Sequence, residues 1–119
     1  MDTFRFRNFE VYHDAKKFRT LVRSIIATFP NDERFQLTDQ ISRACLSIIL
    51  NIAEGSAKNS DKDFARFLET SIASVNEVIA GFDIALDDGL INQEQFNQIE
   101  LSAKSIANQL GGFRKKLLS

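Results

Sequence analysis

The chain reads as all-α, an antiparallel up-down-up-down four-helix bundle, and three features point there. Apolar residues recur at alternating spacings of four and three in separate stretches, the signature of helices with one buried seam. The punctuation between those stretches is short, as antiparallel neighbours require. No run alternates in the manner of a strand, and 119 residues with one proline and five glycines permit long helices. A chain of this length predicts a single domain over residues 1–119, able to bury roughly two-thirds of its unfolded surface.

The first segment carries Val11, Ala15, Phe18, Val22, Ile25 and Phe29 and stops at Phe29-Pro30, because a residue preceding proline is pushed out of the helical region. Asn31 or Asp32 is placed to cap the second segment, which runs to Gly55 or a few residues beyond. The third opens at Ser60, where Ser60-Asp61-Lys62-Asp63 resembles a capping box with aspartate in the last position. Its seam is Phe64, Leu68, Ser71, Val75, Val78, Phe82 and Ala85, and Gly89 suits the left-handed position that closes a helix. The fourth starts near Asn92, with Gln95 three residues on, and carries Phe96, Ile99, Ala103, Ile106, Leu110, Phe113 and Leu117. The glycines at 55, 81, 89, 111 and 112 fall mostly near expected helix ends. Most of the eleven phenylalanines fall on seams, which assigns them to core filling.

The second helix is unusual. Arg43, Ser47, Asn51, Glu54 and Lys58 form one narrow polar stripe, and nearly everything else around the cylinder is apolar. A surface helix shows the reverse, so this one is expected to be covered on most sides, by its own bundle and by another subunit. Leu46, Ile49 and Leu50 project outside the arc centred on Ile41, Ile48 and Ile52, and they are the expected oligomer interface. With the loop between the second and third helices centred near residue 59, Ser47 is expected to face Ser71. Arg43 is then expected to face Val75, with Ser74 and Glu77 adjacent. Asp39 stands one turn before Arg43 in the favourable order for an ion pair.

Candidate chemistry is sparse. His13 is the lone histidine and has no second ligand at metal spacing, so neither a metal nor a cofactor is expected. Cys45, the lone cysteine, lies in an apolar run and reads as a buried structural thiol. Phosphate-loop, dinucleotide-binding, nucleophile-elbow and zinc-helix motifs do not occur. Glu54 is the one carboxylate with two readings. It is either a general base in a polar cleft near Asn51, as an enzyme or small-ligand binder would need, or a semi-buried anchor bonded to Asn51, Lys58 or the amides opening the third helix. No companion acid or nucleophile is visible, which favours the anchor and a non-enzyme. The single cysteine, the absence of an apolar leader and the lack of any long apolar run predict a cytoplasmic protein.

The net charge of −1 conceals a lopsided layout. One pole of the bundle collects Arg5, Arg7, Lys58, Lys62, Arg66, Arg114, Lys115 and Lys116 against Asp2, Asp61 and Asp63. The other collects Asp32, Glu33, Asp39, Asp83, Asp87, Asp88 and Glu94 against Arg34. Repeated around a ring, the basic pole would offer phosphates of RNA or DNA a sequence-independent site.

Arg43-Ala44, Ile49, Asn51-Ile52-Ala53-Glu54-Gly55, Ser60, Phe67-Leu68, Ser74 and Glu77 closely resemble the pattern of a known bacterial family. These are the four-helix-bundle proteins first met as reading frames within 23S rRNA intervening sequences. Phe9-Glu10-Val11-Tyr12, Ala15 and Thr28-Phe29-Pro30 match the start of that pattern, so the resemblance covers essentially the whole chain. Departures are Ser42 in place of the first of two arginines, Lys58 in place of an arginine, and Ala73 in place of a glycine. The resemblance implies a four-helix protomer assembling as a homo-oligomer, a ring of five, with no established enzymatic activity. It assigns Arg43, Asn51, Glu54, Gly55, Ser60, Ser74 and Glu77 to a structural signature. A similar fold serves as the accessory protein of diversity-generating retroelements, which engages nucleic acid; that relative is strongly basic and this chain is not. The expectation is a non-catalytic interaction module contacting structured RNA or a ribonucleoprotein.

Overall fold

The computed structural model describes residues 3–30 and 35–119. A 3-10 turn over Arg5–Asn8 leads into α1 (Glu10–Ile26), α2 (Phe35–Ser56), α3 (Asp61–Asp87) and α4 (Gln93–Leu118). Among the described residues α1 packs on α2 and α4, and α3 packs on α2 and α4, with no packing across either diagonal. The section is therefore a square whose neighbours run antiparallel, the up-down-up-down bundle expected from the spacings. The start of α1, the α2–α3 loop and the end of α4 meet at one pole.

Each end has a local cause. Regular helix in α1 stops at Ile26, and the next residues tighten: the amides of Thr28 and Phe29 donate to the carbonyls of Ile25 and Ile26 at 3.0 Å each. That turn carries Phe29 into the core before Pro30. The cap expected at Asn31 or Asp32, and the charges of Asp2, Glu33 and Arg34, lie outside the described residues. Ser60 Oγ accepts from the Asp63 amide at 3.1 Å, with Asp61 and Asp63 in the first turn of α3. Asn92 and Gln95 exchange reciprocal bonds of 2.8 and 2.9 Å and open α4 with a full capping box. Gly89, at φ +74°, closes α3, and the Leu90 amide reaches back to the Ala85 carbonyl at 2.9 Å.

The core runs the length of the square. Ile41, Ile48 and Ile52 of α2 meet Phe64, Leu68 and Phe82 of α3, with Ile99, Ile106 and Leu110 of α4 behind them, all buried. At the first pole, Phe113 lies edge-on between Phe9 and Phe64, with centroids 5.0 and 5.2 Å away. The glycines correct one expectation, since Gly81, Gly111 and Gly112 lie inside helices. Gly81 permits a close crossing, because a Cβ there would stand 2.5 Å from Ile41 Cγ1. Gly55, in the last turn of α2, does the same against Phe67, whose Cβ would be 2.6 Å away.

Candidate functional site

The polar stripe of α2 divides into an inner, bonded half and an outer, open half. Inside, Ser74 Oγ on α3 bonds to Ser47 Oγ on α2 at 2.9 Å. Asn51 Nδ2, one turn on, donates to both the carbonyl and the hydroxyl of Ser47, at 2.9 and 3.0 Å. Ser71, fully buried, donates to the Ile48 carbonyl at 2.9 Å. Ser47 thus meets Ser74 and not the expected Ser71. Ser71 instead bonds the backbone of the next residue, Ile48; Ser71 and Ser74 lie one turn apart on one face of α3, and the Ser47 hydroxyl meets the second of them. The network pins the register of the tightest helix pair, a recognised use for buried polar groups. Arg43 does not reach across to α3; its Nε bonds Asp39 at 3.0 Å on the open surface.

Glu54 corrects the anchor reading. It is exposed, and its carboxylate has no hydrogen bond or ion pair among the described residues. Its expected partners are occupied elsewhere: Asn51 turns inward to Ser47, and the Lys58 ammonium sits 4.9 Å from the centre of the Phe67 ring. Glu77 on α3 is likewise exposed and unpaired. Neither glutamate lies in a cleft with a nucleophile or second acid. Among the described residues no group of three His, Cys, Asp or Glu side chains assembles as a metal site would require.

Beside Glu54 the surface of α2 is apolar. Leu46 is 41% exposed and Leu50 is 54% exposed, one turn apart on one ridge with Ala53 and Ala57. Ile49, expected to belong there, is 6% exposed and packs in the core of the bundle. It falls in line with Cys45, Ile52 and Ser56, the flank covered by α1, so the buried arc of α2 is wider than the apolar pattern suggested. Burial drives the Cys45 thiol up to about 11, partly offset by the nearby Arg19 guanidinium, which fits an inert thiol.

The basic pole is brought together but largely spent. Arg5 is structural: its Nε donates to the Ser56 carbonyl at 2.9 Å, and its guanidinium lies 5.2 Å from the Phe64 ring centre. This arginine satisfies an end carbonyl of α2 where the helix dipole favours a cation. No apolar periodicity marks the 3-10 turn that holds it, so sequence reading placed Arg5 with the free cations. Arg7 lies over Phe4, Arg66 pairs with Asp63, and Arg114 pairs with Glu69 at 3.4 Å. The ammonium groups of Lys62, Lys115 and Lys116 have no partner among the described residues.

A square four-helix bundle with a hydroxyl–amide seam between its second and third helices defines the class of this protein. Residues 7–112 match the family described as 23S rRNA-intervening sequence protein, and the chain belongs to that family. Its fold is similar to the crystal structure of a protein of unknown function from the S23 ribosomal protein family of Bacteroides thetaiotaomicron. The TM-score is 0.81 at 24% identity, over 88% of this chain and 98% of that one. No curated protein matches the chain. No helix among the described residues is long and apolar enough to cross a membrane.

Proposed function

We propose that the protein is a non-catalytic, homo-oligomeric interaction module. The observation that carries this reading is the exposed Leu46–Leu50 ridge on α2, flanked by the unpaired Glu54. Contiguous apolar surface of this kind marks an interaction site in a soluble protein. Glu54 has the freedom of a rim charge and lacks the enclosure and companions of a general base. The family's ring of five is the assembly expected by resemblance. Light scattering on a sizing column at micromolar concentration tests it. Wild type should elute as a multiple of 13.5 kDa, and Leu46→Glu with Leu50→Glu should run as a helical monomer. A wild-type monomer overturns the reading.

One observation favours a second contact. Lys62, Lys115 and Lys116 keep free ammonium groups at one pole, and repeated around a ring they offer phosphates a salt-sensitive site. Titration of labelled RNA and DNA at roughly 50 and 200 mM salt brackets the range where phosphate-driven binding weakens steeply. Lys62→Glu with Lys115→Glu should abolish binding. No binding by wild type at the lower salt would reduce the pole to a solvated end.

A further inference from the structure

The seam between α1 and α4 holds a hollow of about 440 Å³, set between the first turn of α1 and the last turns of α4. Its apolar walls are Phe9, Val11 and Phe113. The volume falls within the roughly 300–1,000 Å³ typical of small-molecule sites. Gln109 closes the inner end. Its Nε2 donates to Asp14 Oδ2 at 3.1 Å and to Ser105 Oγ at 3.2 Å, and this bridge divides the hollow from a smaller one of about 260 Å³ further along the seam. Gly112 lowers the α4 wall. It is an interior helical position where a Cβ would meet nothing within 4 Å, whereas Gly55 and Gly81 each sit under a side chain of the neighbouring helix. Packing therefore does not demand glycine at 112, and helix propensity opposes it. What the missing side chain does is keep the hollow open.

Two opposite charges share the mouth. Phe9 packs on Phe113 and Asp14 bonds Gln109, a register that sets Glu10 opposite Phe113, with Lys116 one turn nearer the end of α4. Glu10 and Lys116 both line the hollow, and neither side chain has a hydrogen bond or ion pair among the described residues. From this geometry we infer that the hollow binds a small zwitterion with an apolar body, of the class of the aromatic and branched-chain α-amino acids. The ligand's ammonium meets the Glu10 carboxylate, its carboxylate meets the Lys116 ammonium, and its side chain lies against Phe9 and Phe113 in the space that Gly112 leaves. Charge and shape both select this class. A ligand with a single charge leaves one rim group unanswered: Glu10 repels a simple anion and Lys116 repels a simple cation. A long chain laid along the seam is stopped by the Gln109–Asp14 bridge, one turn beyond Glu10, whereas a compact molecule ends before it. The site is separate from the assembly reading, since the Leu46–Leu50 ridge belongs to α2.

Equilibrium dialysis of the full chain against radiolabelled L-phenylalanine and L-leucine tests the site, with glycine, N-acetyl-phenylalanine and phenylalaninamide as competitors. Phenylalanine should bind with a dissociation constant of roughly 0.1–1 mM, in keeping with a small ligand in an open hollow. Glycine, which has the charges without the apolar body, should not compete. The acetylated and amidated forms, which each lack one charge, should compete roughly threefold to fivefold less well than phenylalanine itself. Glu10→Gln and Lys116→Gln should each weaken binding by a similar factor. Gly112→Leu should abolish it by filling the hollow, while Gly111→Ala, one residue away and outside the lining, should bind as wild type does. Circular dichroism melts of both glycine variants confirm that they fold. No binding by wild type up to roughly 10 mM ligand overturns the inference. So does a folded Gly112→Leu that binds unchanged, which would put the ligand elsewhere. Equal competition by phenylalanine and its two single-charge forms likewise rejects the charge pair as the group that reads the ligand.

Discussion

Gly81 of α3 lies directly beneath Ile41 of α2, so close that a Cβ on the glycine would stand 2.5 Å from Ile41 Cγ1. The two helices cross on a missing side chain. Gly81→Ala is expected to lower stability by about 1–3 kcal/mol, the usual penalty for overpacking a filled site. Gly111→Ala should do the opposite. Nothing lies within 4 Å of its added methyl, and alanine is favoured over glycine in a helix by about 1 kcal/mol. Urea unfolding of both variants against wild type reads the contrast. Equal stability of Gly81→Ala and its parent would mean that α2 and α3 can move apart without loss.

The hydroxyl network between the same helices makes a second, separable contribution. Ser74 and Asn51 both end on Ser47 Oγ, at 2.9 and 3.0 Å. Truncating either to alanine should cost about 1 kcal/mol, the net worth of a neutral hydrogen bond. Because they share an acceptor, the double variant should differ from the sum by more than about 0.5 kcal/mol. Strict additivity in the cycle would show that the two bonds act independently and that the network is not a unit.

Helix positions and ends were legible because each has a local cause. Ser60, Gly89 and the Asn92/Gln95 pair act on their own backbone within a few residues; Gly89 and the pair cap as the sequence implied, while Ser60 caps alone because the Asp63 carboxylate turns to Arg66 instead of completing the box. The interhelical register was less legible. It depends on which of two hydroxyls one turn apart on α3 a given α2 side chain meets, so Ser47 bonds Ser74 while Ser71 bonds the Ile48 carbonyl. The apolar pattern turns Ile49 outward, yet it is buried, because a one-dimensional pattern cannot show how broadly α1 overlaps α2. Glu54 and Arg5 exchanged roles for a similar reason. The glutamate lies on a regular helical stripe and turned out unpaired, while the arginine lies on an irregular turn and is bonded to a residue 51 positions away. Periodicity reports faces; it is silent on which side chains cross between elements.

Arg5 supplies a further test of that point. Its Nε bond to the Ser56 carbonyl and its place over Phe64 tie the N-terminal turn to the end of α2. Arg5→Ala should lower stability by about 1–2 kcal/mol, from one charged hydrogen bond and a cation–π contact at a partly open site. Arg5→Lys should recover less than half of this, because an ammonium cannot lie flat on a ring and direct a planar N–H at a carbonyl together. Arg7→Ala, which removes only a guanidinium over the exposed Phe4, should stay within about 0.5 kcal/mol of wild type. Thermal melts of the three variants would rank them; an Arg7→Ala loss equal to that of Arg5→Ala would dissolve the distinction.

Cys45 links burial to pH. Removal from water holds the folded thiol neutral until about pH 11, against 9.0 for an open thiol, with Arg19 opposing the effect. The unfolded chain therefore begins to ionise this group near pH 9 while the folded chain does not. The stability carried by the neutral thiol is intact below about pH 9 and is lost as pH climbs towards 11. A displacement of this size corresponds to about 2–3 kcal/mol at the alkaline limit. Urea unfolding of wild type from pH 8 to 11 should thus fall more steeply than that of Cys45→Ala, whose lower stability at pH 8 reflects only the lost sulfur contacts. The same burial predicts that a disulfide reagent at pH 8 reacts with the native thiol far more slowly than with the denatured one. Parallel pH profiles for the two chains, together with rapid native labelling, would place Cys45 at an open surface and contradict its position against α1.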